Sequence, residues 1–303
     1  MERQFSRFAA IILLLFASAL SGSTAFAQAP LPTQSGAPQQ PAPSFPAAEL
    51  DRIVSPIALY PDPLLAQVLA AATFSQDIPD AAHWADEHHY LSGEQLTSAI
   101  SADQLPWDPS VQALLPFPSV LSMMASAMPW TQELGDAFLA QKADVMDAVQ
   151  RMRQNASRYG YLRSDSQVQV RGGPYIEIVP TNPDYIVVPY YNPAVVFYPP
   201  RPGVYVHSAI SFGYGVRLGV WFEPWGWHSS NFGWATHTVV INRAPWGRTW
   251  VNRAVYVHPY TVHRYTAVRV PEQHREIQRS THERESEQRG RHAREEHRDD
   301  HKK

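Results

Sequence analysis

The sequence predicts an α+β fold. A compact N-terminal helical domain of several short helices and one long one precedes a small irregular β region, and a disordered tether and a charged tail flank the two. Three observations carry this. From Leu50 to Gly160 apolar residues recur at helical spacing, and prolines cut the run into segments. After Gly160 the pattern changes to short β-prone runs punctuated by proline turns. From Gly203 to Val270 tryptophan, tyrosine, glycine and arginine are interleaved.

Taken in order, residues 1–27 read as a signal peptide. Arg3 and Arg7 provide the positive start, Phe8–Leu20 the apolar segment, and Ala25-Phe26-Ala27 a small-x-small cleavage site before Gln28. The apolar segment is shorter than the ~20 residues that a bilayer-spanning helix needs. The expected location is therefore periplasmic or secreted, with no integral membrane span after cleavage. The chain has no cysteine, which excludes a lipid-modified cysteine, disulfides, thiol catalysis and cysteine metal sites. Residues 28–48 are proline, alanine and glutamine with few large apolar groups, a composition that cannot offset the entropy of ordering.

Residues 49–163 form the helical domain. Leu50, Ile53, Val54 and Ile57 share a face in Glu49–Leu59. Asp62-Pro63 and Asp108-Pro109 each pair a capping carboxylate with a proline suited to a first helical turn. A further helix spans Asp80–His89, and Ser92-Gly93-Glu94-Gln95 reads as a capping box for the next. Pro118 opens a short helix. The long one runs from Thr131 to Ser157, and Gly160 sits where a stop belongs. Residues 164–202 carry the β-prone runs Val168–Val170, Tyr175–Val179, Tyr185–Val188 and Val195–Tyr198, with Pro180, Pro189 and Pro193 confining them to edges or bulges. Residues 203–270 are the Trp/Tyr-rich basic β region. Residues 271–303 are a charged tail, disordered or helical.

Four stretches resemble successive motifs of a known family: IVSPIALYPDPLLAQVLAAAT, PWDPSVQALLPFPSVLSMM, WTQELGDAFLAQKADVMDAVQRMR and IVPTNPDYIVVPYYNPAVVFY. In this order they are similar to a bacterial exported family catalogued as domain of unknown function 3300. The resemblance covers roughly Leu50 to Tyr198 and implies a family without assigning a reaction or a catalytic residue.

The residues themselves point to binding more than catalysis. No nucleophile elbow, phosphate-cradling loop or dinucleotide fingerprint is present, and nothing calls for a cofactor. His83 and Glu87 share a helix face and are weak metal candidates, but the residue after His83 is Trp84 and the zinc-protease spacing is missing. The tail histidines His274, His282, His292, His297 and His301 are diluted by Arg and Glu. Asp103 and Asp108 flank Trp107, where capping explains Asp108 better than paired-carboxylate chemistry. The strongest departure from randomness is charge segregation. Between Glu223 and Glu272 no acid occurs, while Arg243, Arg248, Arg253, Arg264 and Arg269 all lie there.

Trp225, Trp227, Trp234, Arg243, Trp246, Arg248, Trp250 and Arg253 are accordingly the candidate binding residues. Arginine would neutralise an anionic envelope polymer and the indoles would stack on it. The same pattern also suits docking of the basic region on the chain's own acidic helices, and both readings stay open at this point. The expected role is a non-enzymatic binding or structural protein of the cell envelope, its partner an anionic polymer or another envelope protein. The alternative is a hydrolase of cell-wall material with a site between the helical and β parts.

Overall fold

The computed structural model describes residues 40–200, 206, 209–213 and 215–262. The signal segment, the tether before Gln40, Arg264, Arg269 and the charged tail with its histidines lie outside the described residues. Helices α1 (Ala47–Val54), α2 (Asp62–Ala72), α3 (Ile78–Glu87), α4 (Gly93–Asp103), α5 (Pro109–Gln112), α6 (Pro118–Ser126), α7 (Met128–Ala140) and α8 (Lys142–Arg158) come first. After them come β1 (Val168–Arg171), β2 (Glu177–Pro180), β3 (Tyr185–Ile186), β4 (Pro189–Tyr191), α9 (Pro193–Val196), β5 (Ile210–Phe212), β6 (Val216–Arg217), β7 (Asn231–Gly233), β8 (Thr238–Ile241) and β9 (Ala244–Pro245). The arrangement is α+β, helices first and small antiparallel strands after. No helix among the described residues is long and apolar enough to cross a membrane.

α2 is the hub. Its sequence DPLLAQVLAAA is apolar on every side except at Asp62 and Gln67, and every residue but Pro63 is buried. A helix that is apolar all round can be stable only inside a core. α7 and α5 cover it on the helical side, and β2, β7 and β8 cover it on the other. α3 packs on α6 and α1 on α8, completing the block.

The strands make four separate sheets, β1–β2, β3–β6, β4–β5 and β7–β8–β9, all antiparallel. None is large enough to hold a core of its own. Their buried side chains, among them Ile178, Trp234, Val239 and Ile241, join the same cluster as Leu64, Leu65 and Val68. Pro180 and Pro189 lie in two-stranded sheets, where each strand is an edge and a missing donor is tolerated.

The structure departs from the sequence expectations at five points. The long helix expected over Thr131–Ser157 is two helices, broken at Gln141, whose φ of −137° and ψ of 47° leave the helical region. Its side-chain amide instead accepts from the backbone N–H of Phe45 (2.6 Å), and bonds Asp144 (2.9 Å). The chain is thus anchored from Phe45, and α1 starts at Ala47, two residues before the expected start of the helical domain at Glu49. Ser92 makes no side-chain cap, because Gly93 enters α4 with φ of +52° and turns the capping hydroxyl away. Val195–Tyr198 is not a strand: Asn192 Oδ1 accepts from Ala194 N (2.9 Å) and starts α9 instead. Asp108 caps α5 by accepting from Ser110 N (2.9 Å), as its sequence suggests, but Asp62 caps nothing.

Asp62 is instead the acidic half of a buried ion pair. Arg153 of α8 is fully buried, and its Nη1 lies 2.6 Å from Asp62 Oδ1. The remaining guanidinium donors reach backbone carbonyls: Nε to Ala58 (2.8 Å), Nη2 to Tyr60 (2.9 Å) and Nη1 also to Ile176 (2.9 Å). Asp62 Oδ2 accepts from Trp234 Nε1 (3.2 Å), and the guanidinium lies 5.0 Å from the Trp234 ring centre. Beside it Gln150 holds Ile176 from both sides, accepting from its N–H (2.8 Å) and donating to its carbonyl (3.0 Å). One cluster therefore ties α8, the α1–α2 connection, the start of β2 and the turn after β7.

Removing one partner leaves a buried charge alone, which costs about 3–5 kcal/mol. Arg153→Ala and Asp62→Ala should each lower the unfolding free energy by about that much in urea titrations, and the double variant should lose clearly less than the sum.

Candidate functional site

The candidate binding residues of the basic region are mostly occupied inside the protein. Trp225, Trp227, Trp234 and Trp246 are buried. Three of the four donate their indole N–H to the helical block: Trp225 to Gln112 Oε1 (3.2 Å), Trp227 to Ala113 O (3.1 Å) and Trp234 to Asp62. Trp250 receives the Arg253 guanidinium 3.8 Å from its ring centre and donates its backbone N–H to Leu139 O (2.9 Å). Arg248 stacks on Phe74 at 3.7 Å and donates to Thr73 O at 2.8 Å. Arg243 alone projects into solvent, 3.5 Å from Glu223. Lys142 crosses in the other direction, from α8 to Trp246 O (2.8 Å). This region is docked on the acidic helices chiefly through indole and backbone hydrogen bonds. Ion-pair geometry enters at His237–Asp147 (2.9 Å) and His258–Asp108 (3.4 Å).

His83 and Glu87 touch at 3.5 Å on an exposed face of α3, and no third potential ligand joins them among the described residues. Asp103, imagined as half of a carboxylate pair, accepts from Trp84 Nε1 (2.7 Å).

The docked segment shifts several acid–base groups. Burial pushes the Arg248 guanidinium down and the Tyr256 hydroxyl up to about 12. Burial also raises the Asp77 carboxyl from its ordinary value; Asp108 and Asp80 add to this and Arg248 opposes it.

An opening of ligand size lies between the helical block and the β region. The turn from α3 to α4 (His88 to Leu96) forms one wall, and β6 with the 3-10 segment Gly219–Trp225 forms the other. The groove encloses about 610 Å³, within the range of ligand pockets. Leu91, Leu96, Leu115 and Phe222 make an apolar floor, and His88, His89, Glu94, Gln95 and Arg217 a polar rim.

Trp221 stands in it as a fixed, half-buried plate. A Cβ on Gly93 would meet its ring at 3.4 Å and one on Gly219 at 3.0 Å, and both glycines have positive φ (+52° and +53°). Both glycines lie against the same ring atoms of the indole, Cε3 and Cζ3, at backbone conformations that favour glycine. Arg217 lies 5.5 Å from its ring centre. Among the described residues its N–H meets no acceptor, unlike those of Trp84, Trp130, Trp225, Trp227 and Trp234. A second ring system leads to the same rim. Trp84 and His88 stack at 3.9 Å, and Tyr90 beyond them is 71% exposed.

Sequence reasoning missed this groove. Gly219-x-Trp221 is a faint local signal, but Gly93 lies far away in sequence and only the fold brings it to the indole.

Fold and grooves together define an α+β protein whose β region is docked on a helical block. The chain belongs to the family described as protein of unknown function DUF3300, whose model matches residues 46–292. It is similar to an uncharacterized protein, YacH, of Escherichia coli strain K12. The two are 35% identical over a 222-residue alignment that covers 58% of this chain and 36% of that protein. The chain therefore spans little more than a third of that relative's length. No solved structure matches it.

The raised Asp77 carboxyl gives a signed test. Above its folded pKa the native state holds a charge that the unfolded chain carries more easily; below both values the two states are equally neutral. Asp77→Asn should raise the melting temperature at neutral pH, and the gain should vanish near pH 3.

Proposed function

We propose that this chain is an exported cell-envelope protein that acts by binding and not by catalysis, and that the groove beside Trp221 is its ligand site. Export rests on the charged start, the short apolar segment and the small-x-small site before Gln28. Binding rests on one observation above others: a half-buried indole beside Gly93 and Gly219, its N–H without an acceptor among the described residues, lining a groove of ligand size. A rigid aromatic plate loses little entropy on contact and presents a large apolar area.

The ligand class that fits is an envelope polymer with flat apolar faces and polar edges. Arg217 makes no ion pair among the described residues and is suited to an anionic substituent. The basic region's own tryptophans are less suited to the task, because four of them face the core.

The hydrolase reading has one thing in its favour: the groove lies between the helical and β parts. Against it, Glu94 is the one carboxylate among the described residues lining the groove. Glycosidic hydrolysis ordinarily needs a pair of carboxyl groups about 5–9.5 Å apart across the bond.

The test uses the full mature chain with purified cell-wall material. The exported protein should begin at Gln28 and co-sediment with the wall. Trp221→Ala should weaken that association about tenfold or more, and no soluble fragments should be released. Fragment release that disappears in Glu94→Gln would replace binding with hydrolysis.

A further inference from the structure

The Trp221 groove does not end at its own rim. Gly215 lines it and also lines a second groove of about 610 Å³ on the far side, walled by Ser166, Gln167, Thr181, Asn182, Tyr185 and Phe212. The residue they share is a glycine, where a Cβ would come to 3.4 Å from the side chains of Tyr185 and Val187, so residue 215 itself puts no side chain between the two grooves. Tyr185 is 39% exposed. Thr181 and Asn182 add polar side chains to the same second groove.

We propose that the two grooves are one cleft for a linear glycan of N-acetylated amino sugars, which crosses at Gly215 and stacks one ring on Trp221 and another on Tyr185. The inference rests on the reading of the Trp221 groove as the ligand site. A pyranose offers a flat C–H face to a fixed indole and a ring of hydroxyls at its edge. An acetamido group adds one donor and one acceptor. The rim supplies complements for each: Glu94 accepts, Arg217 and the Trp221 N–H donate, and Gln95 does both. In the second groove Thr181, Asn182 and Tyr185 supply donors and acceptors.

Other polymers fit less well. A peptide added as a strand needs a sheet edge to pair with, and β6 is two residues long. A nucleic acid needs a row of cations for its phosphates, and this rim carries Arg217 opposite Glu94.

Calorimetric titration of the full mature chain with chitooligosaccharides, dimer through hexamer, tests this. The hexamer should bind at least about tenfold more tightly than the dimer, roughly 1.4 kcal/mol. Trp221→Ala should weaken every length about tenfold or more. Tyr185→Ala should weaken the hexamer and leave the dimer unchanged. Circular dichroism melts check that both variants fold, with Arg217→Ala in reserve should Trp221→Ala not fold; it too should weaken every length.

A hexamer no tighter than the dimer, or Tyr185→Ala acting equally on both or on neither, overturns the two-groove cleft. No binding at any length, with Trp221-dependent co-sedimentation on cell wall intact, overturns the glycan class and leaves the groove as a ligand site. Binding of a proline-rich peptide in place of the sugars has the same meaning. Co-sedimentation indifferent to Trp221→Ala removes the groove reading itself and this inference with it.

Discussion

The buried Arg153–Asp62 pair is the constraint on which the rest of the structure depends. A guanidinium removed from water needs each of its nitrogens paired, and here four acceptors, three within residues 58–62 and one at Ile176, close around it. Satisfying it fixes where the α1–α2 connection runs, because the Ala58 and Tyr60 carbonyls must point inward. It also fixes where the β region begins, because the Ile176 carbonyl must reach the same group. Such pairs are weak sources of net stability but strong selectors of arrangement, since any alternative packing strands a charge.

The β region inherits its position from this cluster. Four sheets of two or three short strands cannot sustain a core, so their apolar faces are stable only against α2. Indole N–H groups then specify the register of docking. Trp225, Trp227 and Trp234 each carry a large apolar surface and a single donor, and each donor finds an acceptor on the helical block. The arginines that looked like an electrostatic surface are largely absorbed in the same way. Arg248 lies flat on Phe74 and Arg253 on Trp250, stacked rather than presented to solvent.

What this docking leaves outside is more informative than what it encloses. The seam between the α3–α4 turn and the 3-10 segment remains open, and the one indole in it makes no side-chain hydrogen bond among the described residues. Two glycines lie against its ring without engaging its N–H. A core tryptophan needs no such arrangement, because neighbouring side chains hold it.

Much of the fold was legible from the residues. Apolar spacing and the Asp-Pro and Pro starts located most helices, Gly160 (φ +77°) ended α8, and proline placement marked edge strands. These are local effects, decided within one or two turns by sterics and capping, so sequence carries them. The break at Gln141 was not legible, because it depends on Phe45 arriving from almost a hundred residues away. Asp62 read as a cap because its neighbour Pro63 fits one; only Arg153 from α8 makes it half of an ion pair. The tryptophan-rich region showed its composition but not its direction, since an indole that stacks on a ligand and one that fills a core are the same residue in the same pattern. Which way each faces is settled by what covers it. The sequence by itself determined most of the helices and the change from helices to short strands after Gly160. The tertiary structure alone decided which aromatic rings are core and which one, set beside Gly93 and Gly219, is left facing the groove, because burial is a property of distant segments brought together.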